Sequence, residues 1–215
     1  MNPTSPTKLI VFDFDGTLID SEPVSYKLFS TVLEPYNLGP MHEVFESIRS
    51  QTPETLFDEL LGIKEGQKAL KKLQELDVEL SQQIPLFPGI LELLDRLLEK
   101  GLFLALWTAR DQGSTHRLIE HLSLQKYFPF WVSGSCVPRN KPASDGLSKV
   151  LDHYSCPAHQ AIMVGDHTHD VLPAQDLGCQ PVLVRWKNNP VDKMSKAKDF
   201  STPQELGVWL DSQWA

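Results

Sequence analysis

Two aspartates stand one residue apart in Val11-Phe12-Asp13-Phe14-Asp15-Gly16-Thr17. Aspartate is a poor strand residue, and a pair of them among phenylalanines at the end of an apolar run needs a reason beyond packing. In extended backbone Asp13 and Asp15 project from the same side, and Gly16 permits a tight turn with close backbone approach to a ligand, next to Thr17. A second acidic pair lies in Val164-Gly165-Asp166-His167-Thr168-His169-Asp170, where Asp170 falls one helical turn beyond Asp166 on the same face. If the strands ahead of the two pairs are neighbours, all four carboxylates converge. Their mutual repulsion in a partly dry cleft calls for a cation, and all-oxygen ligands suit a hard divalent one such as Mg2+.

Two further positions complete a phosphate site. Thr108, closing Leu104-Ala105-Leu106-Trp107-Thr108-Ala109, offers a hydroxyl and, with Ala109, backbone N–H groups to an anion. Lys141, in Arg139-Asn140-Lys141-Pro142, lies just ahead of a helical stretch, where a point cation can hold a phosphoryl oxygen and offset carboxylates. Singly, each feature has a bland reading: a turn device for Asp-x-Asp, a helix cap for Thr108 or Asp170, a surface lysine for Lys141. Turn chemistry, however, gives no reason for all of them to fall at strand ends in this order.

The elements that must position these residues are legible in outline. Leu9–Phe14, Leu102–Trp107, Phe130–Ser133, Ala161–Val164 and Pro181–Val184 read as buried strands without alternation, as in a parallel sheet covered on both faces. Helical patterns separate most of them, at Ile90–Lys100, Asp111–Leu122, Ser144–Tyr154 and Thr168–Leu177, with Gly101 and Gly178 as stops. Strand–helix alternation predicts an α/β fold with a Rossmann-like, doubly wound parallel sheet. Trp107 and Trp131, on strand positions, are expected in its core. Between the first strand and Ile90 the signal is only helical: Pro23–Leu33, Met41–Arg49, Pro53–Leu61 and Glu65–Leu80. The expected organisation is a catalytic core of residues 1–19 and 85–215, with a small all-helical cap, residues 20–84, inserted as a lid over the carboxyl ends of the strands. Lys187–Lys198 reads as a polar surface stretch before a last helix near Gln204–Leu210.

Composition narrows the function classes. The chain has 215 residues, 41% hydrophobic and 22% charged, an ordinary globular balance. Lys+Arg of 20 against Asp+Glu of 28 gives a net charge of 20 − 28 = −8, which repels nucleic acid backbones. No run approaches the roughly 18 apolar residues of a membrane span, and the short polar N-terminus is no signal peptide, so a cytoplasmic enzyme is expected. Cys136, Cys156 and Cys179 are odd in number and lack CxxC spacing, which argues against a disulfide framework, and Cys179 reads as a buried filler. His167 and His169 invite a zinc reading, yet they replace no expected oxygen ligand. Nothing in the pattern chooses between a monomer and a homodimer.

At these residues the chain resembles the phosphatase branch of the haloacid dehalogenase superfamily. Phe12-Asp13-Phe14-Asp15-Gly16-Thr17-Leu18-Ile19-Asp20-Ser21 is similar to the first motif, Thr108 to the second, Lys141-Pro142 to the third, and Gly165-Asp166 with Asp170 to the fourth. The helical insertion is placed as in phosphoglycolate phosphatases and β-phosphoglucomutases. The resemblance implies that Asp13 attacks phosphorus and forms an aspartyl-phosphate, and that Asp15 protonates the leaving oxygen and then activates water. It further implies Mg2+ held by Asp13, the Asp15 carbonyl and Asp166 with support from Asp170. Phosphoryl oxygens would be gripped by Thr108, Lys141 and the backbone around Gly16. Arg49, with Ser50 and Gln51 between two helices of the insertion, falls where such caps present a specificity loop; the alternative is a solvated arginine. Two departures touch fine specificity: Ser144 replaces the second proline of the third motif, and Ala109 stands where asparagine commonly follows the threonine. The expected activity is hydrolysis of a small phosphorylated metabolite. A sugar-phosphate mutase shares all four motifs, a dehalogenase would lack Asp15, and a retired regulatory module would need to keep none of these groups.

Overall fold

The computed structural model describes residues 9–38, 44, 52–187 and 197–213. Among them six strands form one sheet: β1 (Leu9–Phe12), β2 (Phe103–Trp107), β3 (Trp131–Val132), β4 (Ala161–Gly165), β5 (Gln180–Val184) and β6 (Lys198–Phe200). All pair in parallel, in the order β3-β2-β1-β4-β5-β6. β1 is central and entirely buried, which is why its sequence shows no polar alternation. Leu9, Val11, Ala105, Trp107 and Met163 turn to one face and pack with Leu147 and Val150 of α6 (Asp145–His153) and Ala174 of α7 (Thr168–Leu177). Ile10, Phe12, Leu104 and Leu106 alternate onto the other face and are equally buried. There α4 (Ile90–Glu99) packs against β2 and α8 (Pro203–Asp211). α5 (Gln112–His121) follows β2 and is capped by Asp111, whose Oδ1 accepts the Ser114 N–H at 3.0 Å. The α/β, doubly wound parallel fold expected from the sequence is borne out.

Two compact units divide the chain, Met1–Asp20 with Pro85–Ala215, and Ser21–Ile84. The second is helical: α1 (Glu22–Leu33), α2 (Pro53–Leu61) and α3 (Ile63–Leu80) bury Leu28, Phe29, Val32, Val44, Leu56, Phe57, Ala69 and Leu73 together. Thr52 caps α2 by accepting the Thr55 N–H at 3.3 Å, and Gly62, at φ 76, makes the joint from which α3 starts. The helix expected over 41–49 lies, apart from Val44, outside the described residues.

In the sheet, the end of the first strand and the far edge differ from the sequence expectation. β1 ends at Phe12, short of the Asp13-Phe14 included in the expected strand, because the chain begins to turn there: the N–H groups of Leu18 and Ile19 both donate to Phe14 O. The sixth strand was not expected at all. β6 has only three residues, two of them exposed, and is defined by backbone pairing to the edge of β5, so it carries no apolar pattern. No helix among the described residues is long and apolar enough to cross a membrane.

Candidate active site

The register that aligns Phe12 with Leu106 on one side and Val164 on the other brings three strand ends to one level. Asp13 follows β1, with its N–H still donating to Val164 O at 2.8 Å. Thr108 follows β2, with its N–H donating to Val132 O at 3.0 Å, and Asp166 follows β4. Lys141 arrives on the loop before α6, which Asn140 staples in place: its Nδ2 donates to Ala109 O at 3.2 Å and its Oδ1 accepts the Lys141 N–H at 2.9 Å. Lys141 Nζ then donates to Asp13 Oδ1 at 2.6 Å, Asp170 Oδ1 at 2.6 Å and Trp107 O at 2.8 Å. An ammonium has three N–H donors, and all three are used. The Trp107 ring lies 4.7 Å from Nζ and adds a cation–π contact.

Asp13, Asp166 and Asp170 each place a carboxylate oxygen within 4.8 Å of the others. Counted with the Lys141 ammonium, the ionised cluster carries 1 − 3 = −2. That charge and the all-oxygen donor set fit a hard divalent cation. Burial drives the Asp13 carboxyl up to about 7, against the pull of Lys141, with the charges of Asp170 and Asp15 pushing the same way. Burial also raises Asp166 well above the ordinary carboxylate range, helped by Asp13 and Asp170. For Lys141 burial acts downward, but the carboxylates of Asp13 and Asp170 outweigh it and hold the ammonium up to about 12. Two glycines make room for this crowding. A Cβ on Gly16, which sits at φ 78, would run into the Asp166 carboxylate, and one on Gly165 would run into the Asp170 side chain.

Residues 10–184 match the family model of the haloacid dehalogenase-like hydrolases. The chain belongs to this family. It is similar to the phosphoglycolate phosphatase of Rhodospirillum rubrum, 28% identical over 218 residues that cover 94% of this chain and 90% of the relative. PpaX of Caldanaerobacter subterraneus subsp. tengcongensis, provisionally named a pyrophosphatase, is 28% identical over 193 residues covering 88% and 86%. CbbY from Rhodobacter sphaeroides, solved in complex with phosphate, shares the fold with a TM-score of 0.77 at 20% identity, over 95% of this chain and 99% of that one. A Thermotoga maritima protein provisionally assigned as a β-phosphoglucomutase does so with 0.79 at 22%, over 96% and 99%. The resemblance drawn from four motifs is thereby borne out at the level of the family.

The other residues singled out in this haloacid dehalogenase-like chain take definite places. Thr17 is buried, and its hydroxyl is 3.4 Å from Asp13 Oδ2. Its carbonyl accepts from Trp186 Nε1 at 2.7 Å, a brace from the end of β5 that no sequence pattern announced. The Thr108 hydroxyl accepts the Arg110 N–H at 3.1 Å. The carboxylate cluster does not include Asp15, whose two oxygens are gripped by the Arg110 guanidinium at 2.8–2.9 Å. Arg110 was missed by sequence reasoning; its one signal is a charged residue two places after Thr108, on the same strand-end loop. His167 caps α7 through its ring, which accepts the His169 N–H at 3.2 Å, while Asp170 Oδ2 accepts the His167 N–H at 3.2 Å. Neither histidine belongs to the acidic cluster. Cys179 is buried, and burial pushes its thiol up to about 12, a filler rather than a nucleophile. Trp107 is fully buried, whereas Trp131 is half-buried because β3 is a two-residue edge strand. Arg49 lies outside the described residues.

Proposed function

We propose that this hydrolase is a Mg2+-dependent phosphatase that cleaves a small phosphomonoester through an aspartyl-phosphate on Asp13. The observation that carries the reading is the three-way grip of a buried lysine on Asp13, Asp170 and Trp107 O beside a half-buried Asp166. Such a constellation holds one carboxylate ready at the carboxyl end of the central strand, among groups made for anions and a cation.

Asp13 attacks phosphorus through a carboxylate oxygen, the bond from phosphorus to the leaving oxygen breaks, and that oxygen takes a proton from Asp15. Asp15 then takes a proton from water as the water oxygen attacks phosphorus. The bond to Asp13 breaks, and inorganic phosphate leaves with the carboxylate restored. Thr108 and N–H groups near Gly16 and Ala109 hold the phosphoryl oxygens as charge gathers on them, and Lys141, its three N–H groups engaged beside Asp13, offsets that charge at close range. Asp13, Asp166 and Asp170 would hold the magnesium ion, with the Asp15 carbonyl, and bound there it supplies the positive charge that Lys141 leaves wanting. The helical unit Ser21–Ile84, spliced into the chain directly after the Asp13–Asp20 loop, is assigned the choice of substrate. Arg49 is its proposed contact with the far end of the ester.

Support for a phosphomonoester comes from the relatives named as phosphoglycolate phosphatases, 28% identical in the case of Rhodospirillum rubrum. The test is a screen of purified protein against small phosphate esters with Mg2+ and with EDTA. Release of phosphate that needs Mg2+ and is abolished by Asp13→Asn supports the reading; turnover that survives Asp13→Asn refutes it. A β-glucose 1-phosphate arm with its bisphosphate activator separates hydrolysis from mutase chemistry.

A further inference from the structure

We infer that Arg110 is a positioning residue for Asp15, fixing the carboxylate that accepts the proton of water when the aspartyl-phosphate is hydrolysed. The inference rests on the assignment of Asp15 as proton carrier made above. Asp15 stands on a loop turned by Gly16, and its carboxylate is about a third exposed, at 35%. Left alone, such a side chain would rotate freely between staggered positions. Arg110 removes that freedom. Its Nε donates to Asp15 Oδ1 at 2.9 Å and Oδ2 at 2.8 Å, and its Nη2 donates to Oδ1 at 2.8 Å. A planar guanidinium imposes direction on the carboxylate as well as attraction, which an ammonium cannot do.

Arg110 is itself held from several sides. Its Nη1 donates to the buried Ser114 Oγ at 2.9 Å, its N–H donates to Thr108 Oγ1 at 3.1 Å, and its carbonyl accepts the Gly134 N–H at 2.8 Å. Ser114 in turn is tied to the Asp111 cap at the start of α5. The chain of contacts therefore runs from a helix N-terminus through Arg110 to Asp15, with Thr108 on the same loop. An arginine side chain only 16% exposed would be unusual as a mere surface partner. One residue thus ties the loop assigned to the phosphoryl oxygens to the loop that carries the proton.

The test exploits a leaving group that needs no proton. With p-nitrophenyl phosphate, transfer to Asp13 proceeds without Asp15, whereas hydrolysis of the aspartyl-phosphate requires it. In stopped-flow with Mg2+, Arg110→Met is expected to release a burst of one p-nitrophenolate per site at close to the wild-type rate. Steady-state turnover should then be slower by about 10²-fold, the scale of a misplaced catalytic group. Arg110→Lys, which keeps the charge and loses the fork, should recover only part of the deficit. Ser114→Ala, which removes only the hydroxyl that accepts from Arg110 Nη1, should show the same separation more weakly. Asp15→Asn is the reference and should separate burst from turnover most strongly. If Asp15→Asn separates the two rates while the Arg110 and Ser114 variants lower both by one factor or leave both unchanged, Arg110 has no positioning role. If Asp15→Asn shows no separation either, the proton-carrier assignment fails and takes the inference with it.

Discussion

Replacing Lys141 by methionine tests the electrostatics of the site apart from its chemistry. The side chain keeps most of its volume and loses its charge. In the wild type, Nζ neutralises one of three carboxylates gathered within 4.8 Å and satisfies Trp107 O. The variant leaves 0 − 3 = −3 where there was 1 − 3 = −2, in a place where the Asp13 and Asp170 side chains are 9% and 3% exposed. Removing one partner of a buried ion pair destabilises by roughly 3–5 kcal/mol. At a urea dependence of about 2–3 kcal/mol/M, the midpoint should fall by about 1–2.5 M. All five tryptophans belong to the unit formed by residues 1–20 and 85–215, so intrinsic fluorescence reports on that unit. The loss should be full in EDTA at pH 8, smaller at pH 6 where Asp13 can take up a proton, and partly restored by Mg2+, which replaces the missing charge. A loss under about 1 kcal/mol in EDTA at pH 8, or a gap indifferent to Mg2+, would contradict the cluster as described.

Three more outcomes follow from the same geometry. In EDTA the folded Asp13 carboxyl, raised by burial from 3.8 to about 7, binds a proton more tightly than the unfolded one. Its contribution should therefore lower stability as pH climbs from about 4 to 7; urea titrations of the wild type and Asp13→Asn at several pH values check this, and an unchanged pH dependence in Asp13→Asn speaks against it. By the same linkage Mg2+ should bind more tightly as pH rises toward 7, read by calorimetry with proton release, and a pH-independent affinity counts against it. Gly16→Ala adds a Cβ that meets the Asp166 carboxylate at a residue with φ 78, so it should lower stability by about 1–2 kcal/mol and weaken Mg2+ binding at least tenfold. Wild-type Mg2+ affinity in that variant would be the contrary result. Arg49→Ala should raise KM for the true substrate about tenfold or more while leaving p-nitrophenyl phosphate nearly untouched; equal effects on both esters would remove Arg49 from substrate recognition.

Much of the site was legible because its residues are anomalous where they stand. Aspartates at the ends of apolar runs have no packing reason to be there, so Asp13 and Asp166 identified themselves, whereas the β1–β4 pairing that joins them was a condition of the sequence reading and is supplied by the sheet order. α2 and α7 begin and end where the sequence indicated, at Pro53, Leu61, Thr168 and Leu177, because proline, capping residues and glycine mark those ends. What escaped has a common physical character. The Arg110–Asp15 pair spans 95 positions, and an arginine carries no local mark of the carboxylate it will meet. β6 consists of backbone pairing with almost no burial, and Trp131 looked like core only because a two-residue edge strand resembles a longer one in sequence. His167, set aside as a metal ligand in the sequence, serves as a helix cap, a role that depends on the turn between β4 and α7.

The central claim is that Asp13 carries the phosphoryl group during turnover. Its most direct test is rapid quench of the purified protein with substrate and Mg2+, followed by borohydride reduction and peptide mass spectrometry, since borohydride converts an acyl phosphate of aspartate to homoserine. Homoserine is expected at position 13, dependent on substrate and absent without it. Reduction at any other carboxylate, or turnover with position 13 unmodified under conditions that trap the Asp15→Asn variant, would contradict it.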